Sequence, residues 1–353
     1  MLLEEKLNAL FESWGYRRFR LSKFEAYDFY AENRDFLKSS QLITFTDLDG
    51  TLLALKPDIT LSILKNNDGF DKLYYHENVY RPKDGHYREI PQAGVECIGT
   101  ISLYEEAEML ALAARTLALL SPDYILRISD LGLLDALLVQ AALSSRLRRE
   151  LLRDISEKNS SAIEQKQAAG LLPECFATRL RALIGLYCPL SEALPEALLR
   201  DCAPERIPAL RALQRLLSVF GIAERVYLDF SLINSMDYYN GILFQGAVPR
   251  IPFPVLSGGR YDRLSRKMGK DTGAIGFAVY MDLALNYLPA ERKQEETLLL
   301  SYTEEDAAER LAAAAGALRA RGFSVRTVPH ASLSAARRFP ACRVLSIAEA
   351  ENL

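Results

Sequence analysis

The sequence predicts an α+β fold, an antiparallel sheet flanked by helices, and three observations carry that expectation. Residues 73–99 (LYYHENVYRPKDGHYREIPQAGVECIG) read as two long antiparallel strands. They meet at Lys83-Asp84-Gly85-His86, where Asp-Gly suits a two-residue turn that needs φ > 0 at both central positions. Residues 133–217 are rich in leucine and alanine at helical spacing, which predicts an insertion of roughly four or five helices. Strand-like alternation then returns at 226–232 (VYLDFSL) and 237–246. Two domains are expected: a core over residues 1–290, with the helical insertion at about 133–217, and a small α/β unit over 297–353.

The remaining elements follow in order. Residues 2–14 form an amphipathic helix with Leu3, Leu7, Leu10 and Phe11 on one face, and Gly15 ends it. Residues 19–30 read as an extended segment and a turn. Thr46-Asp47-Leu48-Asp49-Gly50 reads as a turn, TLLALK (51–56) as a short apolar strand, and LSILKN (61–66) as a helix. A helix is expected over 101–121, a strand at 124–128 and a turn at Ser129-Asp130-Leu131-Gly132. Leu172-Pro173, Cys188-Pro189 and Ala203-Pro204 give turn signals within the insertion. Past the proline-rich loop at 249–254, a helix is expected at 260–268, a strand at 274–277 and a helix at 279–288. A charged linker at 291–296 precedes the last unit, whose helix is expected at 304–320 with Gly322 as its cap.

Composition narrows the function. At 49% hydrophobic and 25% charged, with net charge −3, the 353-residue chain is ordinary for a globular protein and does not suggest a polyanion binder. Five cysteines without CxxC spacing fit a reduced, cytoplasmic protein, and three histidines make no metal set. The early charges Glu4, Glu5 and Lys6 exclude a secretory signal, and no apolar run is long enough to span a membrane. Arg146, Arg148, Arg149 and Arg153 cluster as a solvated helix face would.

On the return strand of the hairpin, alternation places Gln92, Gly94 and Glu96 on one face. A glycine between two polar side chains leaves an open slot that would seat a small polar ligand. The alternative is an edge hairpin whose polar face meets water. Pro91 points to a bulge or an edge position.

Five segments, taken together, resemble the histidyl-tRNA synthetase branch of the class II aminoacyl-tRNA synthetases. They are the stretch from Thr46 to Thr60, the return strand from His86 to Glu96, MDYYNGILF (236–244), SGGRYD (257–262) and GAIGFA (273–278). The resemblance covers roughly residues 1–135 and 222–290 and implies a class II synthetase-like sheet. It carries Asp58, Thr60 and Gln92 onto positions that hold an α-ammonium group, and Glu96, Tyr239 and Tyr261 onto those that read an imidazole. A carboxylate suits an ammonium, and an imidazole suits an acceptor with a phenol. Asp58 stands where the family has glutamate, and Asp58 has an alternative role as a helix cap; Tyr239 and Tyr261 are alternatively core aromatics.

Other positions depart from that family. Asn78, Asn234 and Leu283 stand where its ATP- or carboxylate-reading arginines fall, and Tyr80 where a motif glutamate falls. Without fixed cations, adenylation chemistry is not expected, and no arginine is expected to face the two carboxylates; the alternative, that Arg81 or Arg88 substitutes, is set aside because Arg81-Pro82 and Tyr87-Arg88 have matches of their own in the family. Ser22 replaces the proline of the segment that builds the family's dimer interface, while Glu25 is kept. The roughly sixty residues at the end are too few for the family's anticodon-binding domain. A histidine pocket without these arginines resembles the ATP phosphoribosyltransferase regulatory subunits, non-catalytic paralogues of that synthetase. The resemblance implies L-histidine as ligand, a short-form catalytic ATP phosphoribosyltransferase subunit as partner and a homodimer within a hetero-oligomer, with no catalytic residue, cofactor, metal or tRNA. A divergent histidyl-tRNA synthetase or amino-acid:AMP ligase, and a stand-alone histidine sensor or scaffold, are the alternatives.

Overall fold

The computed structural model describes residues 3–37, 42–67, 69, 71–83, 85–233, 239–287, 297–303, 306–333 and 342–352. It divides into two compact units, Met1–Pro289 and Ala290–Leu353. The linker expected at 291–296, together with Asp84, Asn234, Ser235 and Met236 to Tyr238, lies outside the described residues.

The first unit begins with α1 (Leu3–Ser13), β1 (Arg17–Arg18), β2 (Phe24–Ala26), α2 (Tyr27–Glu32), β3 (Thr44–Thr46), β4 (Leu52–Leu55), α3 (Ile59–Asn66) and the hairpin strands β5 (Lys72–Lys83) and β6 (His86–Gly99). Next come α4 (Leu103–Leu120), β7 (Ile125–Asp130), α5 (Leu131–Gln140), α6 (Ser145–Ser156), α7 (Ser160–Ala168), α8 (Glu174–Gly185), β8 (Cys188–Pro189), α9 (Glu196–Cys202) and α10 (Ile207–Val219). It closes with β9 (Val226–Leu228), β10 (Ile242–Ala247), β11 (Leu256–Arg260), α11 (Asp262–Lys267), β12 (Gly273–Tyr280) and α12 (Met281–Tyr287).

Nine strands make the main sheet, in the order β1-β5-β6-β12-β11-β10-β7-β9-β8. Most pairs are antiparallel, as expected, but β1 runs parallel to β5 and β7 parallel to β9, so the sheet is mixed. β5 and β6 pair without interruption from Lys72↔Cys97 to Lys83↔His86, and Gly85 turns the chain at φ +78°. The bulge suggested by Pro91 is absent. Pro91 instead lies just beyond the last β6–β12 pair, Gln92↔Tyr280, where the hairpin runs on past its neighbour and a missing N–H costs no ladder bond. β6 is interior over Gln92 to Gly99, so the solvent-facing edge hairpin does not form.

Helix α4 starts in a capping box, Ser102 with Glu105, and buries Met109, Leu110, Ala113 and Leu117 in the main core. The insertion folds as six helices, α5 to α10, rather than four or five. Ala142 and Lys158 stop two of them in left-handed backbone at φ +46° and +52°, breaks that no glycine or proline announces. The turn expected at residues 129–132 is a direct strand-to-helix junction, because Asp130 Oδ1 accepts from the N–H groups of Gly132 and Leu133 and caps α5. Cys188-Pro189 forms β8 on the sheet's edge rather than a turn. Likewise residues 27–32 are helical, not extended.

A separate three-stranded sheet, β2-β4-β3, exposes Phe24, Phe45 and Leu52. The second unit holds β13 (Thr297–Tyr302), α13 (Ala308–Ala320), β14 (Ser324–Pro329), β15 (Cys342–Ser346) and α14 (Ile347–Glu351), with a parallel sheet in the order β14-β13-β15. Leu298, Leu300, Leu318, Leu345 and Ile347 form its core. No described helix is long and apolar enough to cross a membrane.

Behind β4, the fully buried Lys56 ammonium donates to Glu77 Oε2 at 2.8 Å, and Glu77 Oε1 accepts the Leu21 N–H at 3.0 Å. Burial pulls the Lys56 ammonium below its usual range while the Glu77 bond opposes that shift. The pair ties β4 to β5 and to the segment before β2. Breaking a buried ion pair from one side typically costs ~3–5 kcal/mol. Lys56→Met is therefore expected to lower unfolding free energy by about 3 kcal/mol in urea denaturation, whereas the exposed Arg146→Met should change it by less than about 0.5 kcal/mol.

Candidate functional site

Three adjacent strands, β5, β6 and β12, each present alternate residues to one face. On β5 these are Tyr75, Glu77, Val79 and Arg81; on β6, Gln92, Gly94 and Glu96; on β12, Gly276, Ala278 and Tyr280, each registered opposite its β6 counterpart. Helix α3 starts over this face, and Tyr239 and Tyr261 both approach it from the open end of the β10–β11 hairpin. The result is a narrow, polar cleft open to solvent, with a cavity volume of about 50 Å³. All six residues singled out for a ligand, Asp58, Thr60, Gln92, Glu96, Tyr239 and Tyr261, line it.

Glu96 is the chemical centre. Its side chain is almost fully buried, with no cation among its hydrogen-bond partners. Thr60 Oγ1 donates to Oε1 at 3.0 Å and the Tyr261 hydroxyl to Oε2 at 2.5 Å. Burial pushes the carboxyl up to about 8; the two hydroxyls pull it down and the Asp58 charge raises it further, so loss of hydration outweighs both bonds. Gly276 is required beneath it, since a Cβ there would collide with Oε2. Tyr261 is buried and stands edge-on to Tyr239, with ring centroids 6.4 Å apart.

Asp58 does two things at once. Its backbone is extended and its Oδ1 accepts from Leu61 N–H at 3.0 Å, so it is indeed the N-cap of α3. Its Oδ2 accepts from Arg81 Nη2 at 3.1 Å. The expectation that no arginine faces the carboxylates is therefore corrected: Arg81 lines the cleft beside Asp58. The period-two pattern of β5 carries the signal that would have found it, because Arg81 shares a face with Tyr75. The open slot at Gly94 is corrected too. Tyr75, its direct partner on β5, lays its phenol against Gly94, where any Cβ would strike the ring and the Phe277 carbonyl. The cleft lies above that phenol. Ser257 and Tyr280 also line it and went unnoticed in the sequence. Gln92 is 7% exposed, and its amide makes no hydrogen bond to any described residue.

Of the three positions read as lost arginines, Asn78 lies on the opposite face of β5 and donates to Glu89 Oε1. Leu283 packs against the main core, and Asn234 lies outside the described residues. Among described residues no three His, Cys, Asp or Glu side chains converge as a metal site requires.

The state of Glu96 sets a pH signature. Its folded pKa is raised above the ordinary glutamate value, so between roughly pH 5 and 8 the native state holds a proton that the unfolded chain has released. Stability of the unliganded protein should fall as pH rises through that window and level off above it. Glu96→Gln should flatten the fall by about one proton's worth of slope, measured as melting temperature against pH; an unchanged slope would mean that Glu96 is ionised in the native state.

The sequence profile described as histidyl-tRNA synthetase matches residues 2–283. An ATP phosphoribosyltransferase regulatory subunit from Caldanaerobacter subterraneus subsp. tengcongensis is 32% identical over 325 residues, 86% of this chain and 83% of that relative. Another bearing the same name, from Thermoanaerobacter pseudethanolicus, is 31% identical over 82% of this chain and 79% of its own. Among solved structures, an ATP phosphoribosyltransferase regulatory subunit/histidyl-tRNA synthetase from Bacillus halodurans C superposes with a TM-score of 0.81 at 26% identity, covering 98% of this chain and 93% of that one. Sheet, insertion and sequence agree, and the chain belongs to the histidyl-tRNA synthetase-like family of ATP phosphoribosyltransferase regulatory subunits.

Proposed function

We propose that this chain is a non-catalytic regulatory subunit of ATP phosphoribosyltransferase, at the first step of L-histidine biosynthesis. In this reading it binds free L-histidine in the cleft and activates and regulates a short-form catalytic subunit. The observation that carries the reading is the convergence of six residues, from four separate stretches of sequence, on one cleft with a buried acid at its base. Glu96, Tyr261 and Tyr239 offer an imidazole an acceptor or donor, a phenol and an aromatic wall. Asp58, Thr60 and Gln92 suit the α-ammonium.

The chain supplies binding without chemistry. Asn78 and Leu283 give no cation to steady a developing phosphate charge, and losing even one such donor typically costs ~10²–10³ in rate. A ligand site that catalyses nothing acts through unequal affinity for two states of an assembly. The exposed apolar residues of the β2-β4-β3 sheet, Phe24, Phe45 and Leu52, support a homodimer within a cytoplasmic hetero-oligomer. The net charge of −3 argues against tRNA as a partner.

Phosphoribosyltransferase activity of the short catalytic subunit is the test, measured alone, with this chain, and with this chain plus L-histidine. Stimulation on mixing and a change in rate with histidine are expected, with no histidine-dependent pyrophosphate exchange by this chain alone. No stimulation and no complex on a sizing column would overturn the assignment. Glu96→Ala should weaken L-histidine binding about tenfold to a hundredfold in calorimetric titration, the usual cost of leaving a buried hydrogen-bonded partner unmet. Unchanged affinity in a folded variant would place the site elsewhere.

A further inference from the structure

We infer that Arg81 reads the α-carboxylate of the amino acid bound in this cleft, and that its ion pair with Asp58 makes the cleft selective for a zwitterion over a simple cation. The inference rests on the reading of the cleft as an amino-acid site.

Charge bookkeeping leads to it. Among the described residues lining the cleft, Arg81 is the only cation. Its side chain is 16% exposed, that of Asp58 6%, so neither charge is well hydrated. The arginine is fixed from behind: Nε donates to the Pro57 carbonyl and Nη2 to Asp58 Oδ2. Nη1 donates to no described residue, which leaves at least two N–H groups of the planar fork for a guest. A carboxylate is the partner that geometry favours, since it accepts two parallel bonds from one guanidinium.

Asp58, meanwhile, is not a bare carboxylate waiting for an ammonium. One oxygen caps α3 and the other meets Arg81. A ligand with an ammonium and no carboxylate would compete with Arg81 for Asp58 and leave the partly buried guanidinium short of its counter-charge. A ligand carrying both groups sets its ammonium against Asp58 and its carboxylate against Arg81, and every charge keeps a partner. The unpartnered Gln92 amide beside them supplies one more donor or acceptor to the same end of the ligand. Glu96, at the other end, bonds to neutral hydroxyls and demands no second positive charge.

The experiment is calorimetric titration of the full chain with L-histidine and with histamine, which keeps the ring and the ammonium and lacks the carboxylate. For the wild-type protein, L-histidine should bind at least about tenfold more tightly. Arg81→Gln should weaken L-histidine about tenfold to a hundredfold while leaving histamine unchanged or tighter, because Asp58 is freed. Arg81→Lys should restore part of the preference, as a point charge without the fork. Equal binding of the two ligands by wild type overturns the inference without any variant. So does a preference that survives in a folded Arg81→Gln protein, which would assign the carboxylate to the free N–H groups at the start of α3. If wild type shows no detectable binding of L-histidine, the amino-acid reading falls and this inference with it. L-histidine binding that ignores Arg81 removes this inference alone.

Discussion

A carboxylic acid buried on an interior strand is the constraint around which this molecule is arranged. Glu96 sits in the β6 ladder with strands on both sides, and moving an ionised carboxyl there is costly unless hydroxyls or a proton compensate. The compensation comes from far along the chain. Thr60 arrives on the first turn of α3, Tyr261 at the end of β11, and Gly276 gives way on β12. The hairpin, α3 and the β11–β12 pair must all be docked before that acid has its partners. The cleft is what remains between them once it does.

The hairpin's place was legible because its signals are local: an Asp-Gly turn, long alternation and a polar face at Gln92 and Glu96. Contents of the site that depend on a neighbour's rotamer were not. Gly94 looks like an empty seat in one dimension, yet the residue across the ladder is a tyrosine, and its ring takes the space. Arg81 was set aside for a different reason. It has a match of its own in the family resemblance, and that match says nothing about which way the side chain points; counting by twos along β5 does. The same limit explains the insertion. Leucine spacing announces helices but not where they stop, since Ala142 and Lys158 end theirs in left-handed backbone that sequence rarely flags. The parallel β1–β5 and β7–β9 pairs each involve one short strand, β1 or β9, whose partner sequence pattern alone does not specify.

The insertion is fastened to one half of the sheet and the cleft occupies the other. Arg206 donates to Asp130 Oδ2 from both Nε and Nη2. Lys158 and Arg127 both reach the buried Asp229, and Asp130 caps α5. These ties grip β7 and β9, whereas the cleft is built on β5, β6 and β12. Between the two lie β10 and β11, joined to β7 and β12 by uninterrupted ladders. A push on the helices has two routes to the cleft: those two strands with the tyrosines at their ends, Tyr239 and Tyr261, and α4, which packs on α10 and pairs Glu106 with Arg260 and Glu108 with Lys72.

The Tyr75–Gly94 pairing has a meaning for redesign. One phenol sets the depth of the recess, and it does so without bonding to anything the ligand would need. Trimming that ring to alanine would open a pit the width of a benzene beneath otherwise untouched polar groups, the hole half of a bump-and-hole pair. A heteroaromatic amino acid bearing an extra substituent would then find room that L-histidine, the proposed ligand, cannot fill. Two facing positions on adjacent strands thus form an address that can be rewritten, giving a sensor for a synthetic effector on the same scaffold.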